Sequence, residues 1–152
     1  MDADIVAALH ENQFQKLQHE LGGRFYVDAD DFKHAVRNER SFNLIDSVEL
    51  AKVDVFCVRD RDFQNSALER AQLKELERDD PFTHVRIASP EDLVLAKLRW
   101  YRIGGEVSDR QWGDLRGIVR VQGNALDLSY LRKWAPTLDV EAVLERLLAE
   151  PI

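Results

Sequence analysis

Cysteine is nearly missing from this chain: Cys57 stands alone among 152 residues. No disulfide can close within the chain, and a reducing, cytoplasmic compartment is expected. Long apolar runs are missing too. No stretch approaches the roughly 20 residues that a membrane-spanning helix needs, and no basic region followed by an apolar run precedes the first strand, so neither a membrane partner nor a secretion signal is expected. Only 4 prolines and 7 glycines occur, and no internal repeat or low-complexity tract is visible, which excludes linker-like and repeat architectures. Positive charge is in deficit, with 21 Lys and Arg against 28 Asp and Glu. The resulting net charge of −7 argues against a general coat on nucleic acid.

What remains is an ordinary globular balance, 45% hydrophobic and 32% charged, in a chain long enough to bury a core as one domain or one domain with a small appendage. The charge is unevenly spread. From Lys97 to Lys133, eight Lys or Arg meet four acids, so this segment is +4 and the remainder −11.

Periodicity and punctuation predict an α+β fold. Asp4-Ile5-Val6 reads as a strand end, followed by a helix from Ala7 to Leu21 that Gly22-Gly23 terminates. Phe25-Tyr26-Val27 is a short strand, and Asp28 or Asp30 caps a helix carrying Phe32, Ala35 and Val36 on one side. Ser41 to Ile45 and Ala51 to Val58 read as a hairpin with a polar turn near Asp46-Ser47. A short helix from Asn65 to Ala71 and a strand from Thr83 to Ala88 follow. Then the pattern changes. Ser89-Pro90-Glu91-Asp92 combines a capping residue, a first-turn proline and two dipole-favoured acids ahead of an apolar helix. Ser108 opens a second helix closed by Gly123, Asp127 a third, and Val140, Val143, Leu144, Leu147 and Leu148 stripe a fourth. The expected organisation is a small mixed sheet in residues 1–88 and a helical bundle in residues 89–152.

The chemistry-bearing residues are acids. Asp2 and Asp4 precede Ile5-Val6 in a strand, where side chains at i and i+2 share a face roughly 7 Å apart. Asp54 lies within Lys52-Val53-Asp54-Val55-Phe56, an apolar setting that is costly for an unpaired carboxylate if buried and harmless on an exposed edge. Three gathered carboxylates repel one another unless a cation neutralises them, and hard oxygen donors with open positions suit Mg²⁺ or Mn²⁺ on a phosphate substrate. A solvated chain end is the simpler account of Asp2 and Asp4. Asp28 with Asp30 reads more simply as a helix cap, and Asp60 with Asp62 as a solvated turn or another cap. His10, His19, His34 and His84 lack the close spacing of zinc ligands. Cys57 reads as a buried thiol, and Trp100, Trp112 and Trp134 as packing residues of the helices. Gly113 and Gly117, four apart, would permit close helix approach.

Several blocks together resemble the polymerase-beta-like nucleotidyltransferases, and in particular the small bacterial nucleotidyltransferase-like proteins related to abortive-infection toxins. The blocks are Asp2-Ala3-Asp4-Ile5-Val6, Phe25-Tyr26-Val27-Asp28, Arg40-Ser41-Phe42-Asn43-Leu44-Ile45, Lys52-Val53-Asp54-Val55-Phe56, Ser89-Pro90-Glu91-Asp92 with Leu93 to Leu98, and Ser108 to Asp114. The resemblance implies a nucleotidyltransferase core with a helical cap. It also implies transfer of a nucleoside monophosphate from an NTP to a hydroxyl on RNA, protein or a small molecule. Asp2, Asp4 and Asp54 would hold two divalent ions, and Asp54 would coordinate or act as base toward the attacking hydroxyl.

Lys97 shares a partly apolar helical face with Leu93, Val94, Trp100 and Tyr101, which suggests an ammonium directed at a cleft. In the similar proteins a lysine in this helix meets nucleotide phosphate. Arg110, spaced i,i+4 from Asp114, would brace that lysine or the triphosphate. The plainer readings are a snorkelling lysine and an exposed ion pair worth under about 1 kcal/mol. The family's Gly-Ser element, which cradles the triphosphate before the Asp-x-Asp strand, would fall upstream of Met1, so the core is expected to be N-terminally truncated. The alternative function is a non-catalytic binding or dimerisation module on the same fold, such as one component of a toxin and antitoxin pair.

Overall fold

Residues 2–58, 62–75 and 84–150 are described by the computed structural model of the chain. They divide into two compact units, Met1–Gln64 and Asn65–Ile152. The class is α+β, as the sequence predicts. The division falls inside a helix, α3 (Asp62–Arg70). Side chains of α3 explain this: Ser66 and Arg70 bond to Tyr130, Glu91 and Asp92 of the second unit.

In the first unit, β1 (Asp2–Ala8), β2 (Phe25–Tyr26), β3 (Ser41–Asp46) and β4 (Lys52–Val58) form one sheet in the order β1-β4-β3-β2. The sheet is mixed, because β1 runs parallel to β4 whereas β3 is antiparallel to both β4 and β2. The predicted helix from Ala7 to Leu21 is corrected here. Ala7 and Ala8 complete β1 against Cys57 and Val58, a 3₁₀ turn spans Glu11–Gln13, and the helix proper, α1, is Phe14–Glu20. Alanine's helix preference yields to a parallel ladder that local propensity cannot reveal. Gly22 and Gly23 stop the chain as predicted, both with positive φ, +59° and +76°. Asp28 caps α2 (Ala29–Asn38) by accepting from the N–H groups of Asp30 and Asp31.

Burial in β3 alternates strictly, with Phe42, Leu44 and Asp46 inward and Ser41, Asn43 and Ile45 outward. Phe42 and Leu44 join Val55 and Cys57 of β4, Val27, and Phe32 and Ala35 of α2 in one core, with Phe14, Leu17 and Leu21 against it. Phe32 is fully buried and stacks at 5.1 Å on Phe14 and edge-on at 5.2 Å on Phe42. Both α1 and α2 therefore cover one face of the sheet, and the other face carries the outward residues.

Asp46 closes the hairpin between β3 and β4. Its Oδ2 accepts from Arg24 Nε at 2.8 Å and its Oδ1 from the N–H groups of Val48 and Glu49, an arrangement that lets an aspartate be buried. The Arg24 hydrogen bond and those two N–H groups hold its carboxyl at about 2. An unfolded Asp titrates near 4. A lowered native value stabilises the fold above the unfolded value and loses that contribution as the pH falls. The melting temperature of wild-type protein is thus expected to fall as the pH drops from about 4 to 2. Asp46→Asn should be less stable at neutral pH and flatter across that window; superimposable pH profiles of melting temperature would refute this.

In the second unit, β5 (Gln72–Glu75) and β6 (His84–Ile87) pair as an antiparallel ribbon with every residue exposed. Only β6 was legible in the sequence. Four helices follow: α4 (Pro90–Ile103), α5 (Asp109–Gln122), α6 (Leu128–Trp134) and α7 (Glu141–Ala149). The first three start where the caps predict, with Ser89, Ser108 and Asp127 each accepting from a first-turn N–H. The central helix is α4, which packs against α5, α6 and α7. Its fully buried Val94, Leu95 and Leu98 belong to the same set of core residues as Leu115, Leu131, Val140 and Leu144. Trp112 packs at 5.2 Å on Tyr101 under the guanidinium of Arg146 and donates through Nε1 to Glu150, a packing role as expected. Among the described residues, no helix is long and apolar enough to cross a membrane.

Candidate functional site

Sheet register settles which acids share a face. Asp4 and Asp54 are Cα partners across the parallel β1 and β4 ladder, and Asn43 is the antiparallel partner of Asp54 on β3. Strands lie about 4.8 Å apart and directly paired residues project to the same side. Asp4, Asp54 and Asn43 therefore form one rung across three strands, on the face opposite the α1 and α2 core. Alternation agrees: Asn43 is exposed between buried Phe42 and Leu44, and Asp54 sits between Val53 and buried Val55, which pack toward the core. Rungs that mix apolar and polar residues border this one. Phe56 pairs with Val6 on one side and Ser41 on the other, and Ile45 pairs with Tyr26. Val6, Ile45 and Tyr26 are exposed, so the face is open and amphipathic.

Asp2 begins β1 opposite Lys52; its side chain lies outside the described residues. Asp54 is not unpaired, because Lys52 Nζ lies 3.0 Å from its Oδ1. This removes the cost that an isolated carboxylate in an apolar strand would carry. Among the described residues, no group of three or more His, Cys, Asp or Glu side chains is placed to hold a metal ion. The donor set on the rung is two carboxylates and an amide oxygen. It fits Mg²⁺ or Mn²⁺, which typically take one or two protein carboxylates and complete their shell with water and phosphate oxygens.

The remaining predicted site residues belong to the second unit. Lys97, on α4, bonds across to α5: its Nζ lies 3.3 Å from Asp114 Oδ2. Both groups are partly exposed, so the pair is worth under about 1 kcal/mol. Arg110 stands exposed in the first turns of α5. The partner of Asp114 is thus Lys97 rather than the i,i+4 arginine. Asp28 serves as a helix cap, Asp62 starts α3, and Asp60 lies outside the described residues. His10, His19, His34 and His84 are all exposed. Cys57 is buried, and burial pushes its thiol up to about 11, leaving negligible thiolate at neutral pH.

A second polar cluster escaped the sequence. Glu91 and Asp92, expected only to favour the helix dipole, are buried. Asp92 Oδ2 accepts from Ser89 Oγ at 2.6 Å, and its Oδ1 accepts from the Tyr130 hydroxyl at 2.7 Å. That hydroxyl also lies 3.1 Å from Ser66 Oγ. Burial, then the Asp92 carboxylate, raises Tyr130 to about 12. Arg70 covers the Tyr130 ring at 3.9 Å and donates to Glu91 Oε2 at 3.0 Å. Burial pushes Glu91 upward, but hydrogen bonds from the N–H of Asp127 and its own backbone outweigh it, so its carboxyl sits below the usual range. Every member has a partner, the condition under which a buried network rigidifies its surroundings. The cluster ties α3, α4 and α6 together and borders an open groove of about 570 Å³ lined by Arg70, Lys74, Ser89 and Gln122 among others.

Two residues on the open sheet face were missed, Asn43 and Lys52. Lys52 was within reach, since i and i+2 share a face in any strand. Asn43 needed the hairpin register, which a turn of this length does not fix. A comparison with models of known families gave no match to this chain, and a comparison with curated proteins gave none either.

Proposed function

We propose that this chain is a metal-dependent nucleotidyltransferase, moving a nucleoside monophosphate from an NTP to a hydroxyl acceptor. The observation that carries the reading is the in-register placement of Asp4 and Asp54 on the uncovered face of the sheet. The resemblance described above supplies the reaction class. Asp4 and Asp54 would bind a divalent cation, with Asp2 as a further ligand, and Asp54 would orient or deprotonate the attacking hydroxyl. A bound Mg²⁺ or Mn²⁺ supplies charge neutralisation at the phosphoryl group and a more acidic hydroxyl. The open face leaves room for a substrate beside the carboxylates, and its apolar pairs, Val6 with Phe56 and Ile45 with Tyr26, offer surface to a base or acceptor. The parts assigned to Lys97 and Arg110, as cations for the triphosphate, rest on the resemblance alone.

Calorimetric titration of NTP in the presence of Mg²⁺ or Mn²⁺ tests the reading. Binding that disappears when the metal is chelated is the expected result. Heat that is absent, or indifferent to the metal, in this chain and in any longer form of it would end the enzyme reading. The fold would then serve as a binding module. Where binding is found, incubation with labelled NTP and cell extract would identify the acceptor.

A further inference from the structure

One positive charge already stands among the proposed cation ligands. Lys52 precedes Asp54 by two residues in β4, so both side chains project from the open face. Its ammonium lies 3.0 Å from Asp54 Oδ1, with the lysine side chain 48% and the aspartate 26% exposed. Its backbone pairs with Asp2 on one side and Ile45 on the other, one rung from Asp4, Asp54 and Asn43. Lys52 therefore stands beside Asp54 on the same face of β4, one rung from it.

We propose that Lys52 competes with the divalent ion for Asp54, and that its displaced ammonium then binds a phosphate oxygen of the nucleotide. This rests on the nucleotidyltransferase reading. An ammonium and a metal ion held by one carboxylate share its single negative charge, and their like charges repel across the short distance that separates adjacent ligands. A half-exposed lysine on a flexible four-carbon stem is displaced more readily than an arginine, which would hold the carboxylate through a rigid two-pronged bond. The displaced charge remains on the open face, where an incoming triphosphate provides its next partner. The metal and the nucleotide would accordingly assist each other's binding, since the metal frees the group that the phosphate needs.

The test is Mn²⁺ binding to the full chain, followed by electron paramagnetic resonance, for wild type, Lys52→Met and Asp54→Asn. Methionine keeps much of the stem and removes the charge. Without nucleotide, Lys52→Met is expected to bind Mn²⁺ about five-fold tighter than wild type, the scale set by an exposed ion pair. With Mn²⁺ saturating, its affinity for a non-hydrolysable NTP should fall about ten-fold, as expected for one lost charge-assisted bond to phosphate. Mn²⁺ affinity equal to or weaker than wild type in Lys52→Met, with binding still lost in Asp54→Asn, overturns the competition and leaves the carboxylate site standing. Unchanged nucleotide affinity in Lys52→Met overturns the phosphate contact. Mn²⁺ binding that is absent from wild type, or indifferent to Asp54→Asn, overturns both this inference and the reading beneath it.

Discussion

Asp54→Asn is expected to slow metal-dependent nucleotidyl transfer by about 10²-fold or more, the scale on which a single group aimed at developing charge contributes to catalysis. The substitution keeps shape and removes charge, so the carboxylate can neither neutralise a cation nor accept the acceptor's proton. The fold should survive it. Asp54 lies on the uncovered face, its neighbours Val53 and Val55 anchor β4 in the core without it, and its bond to Lys52 joins partly exposed groups. The measurement is transfer of label from NTP at saturating Mn²⁺, beside a circular dichroism melt of the same preparation. Equal labelling by wild type and Asp54→Asn, with matching melts, would remove Asp54 from the chemistry. Asp4→Asn belongs beside it, because carboxylates sharing a cation should fail together and non-additively.

The largest expected loss of stability comes from Phe32→Ala. Its ring is fully buried between Phe14 and Phe42, and it holds α2 onto the sheet. Truncation of a buried phenylalanine costs about 3–5 kcal/mol, the sum of lost burial and the cavity left behind. That is a large share of the about 5–15 kcal/mol that a typical domain has in total. Urea unfolding should show the first unit melting at a markedly lower midpoint. A midpoint within experimental error of wild type would mean that α2 closes over the gap. Phe32→Leu should recover most of the loss, because it refills the volume in the same apolar setting.

The second unit's helices were largely legible because their starts are written locally: Ser89, Ser108 and Asp127 satisfy N–H groups within one turn of themselves. The hairpin of β3 and β4 was legible for a similar reason, since alternating Phe42 and Leu44 with a polar turn beyond them need no distant partner. Residues 7 and 8 were not, because their strand depends on Cys57 and Val58, fifty residues away. The same distinction runs through the candidate site. That Asp2 and Asp4 alternate in a strand can be read from two positions, but that Asp4 lies level with Asp54 is a property of the ladder. The burial of Glu91 and Asp92 was illegible in a different way: a first-turn acid looks the same in sequence whether it faces water or Tyr130 and Arg70.

Cys57 turns the first unit into its own reporter. Its sulfur sits in the same cluster as Phe32, Phe42 and Val55, and no other thiol exists in the chain to confuse the signal. A thiol-reactive dye should label it only during excursions that expose that cluster, so the labelling rate reads the opening equilibrium of this half alone. Adding Mn²⁺ and nucleotide should slow the dye to the degree that occupancy of the sheet's outer surface steadies the packing behind it.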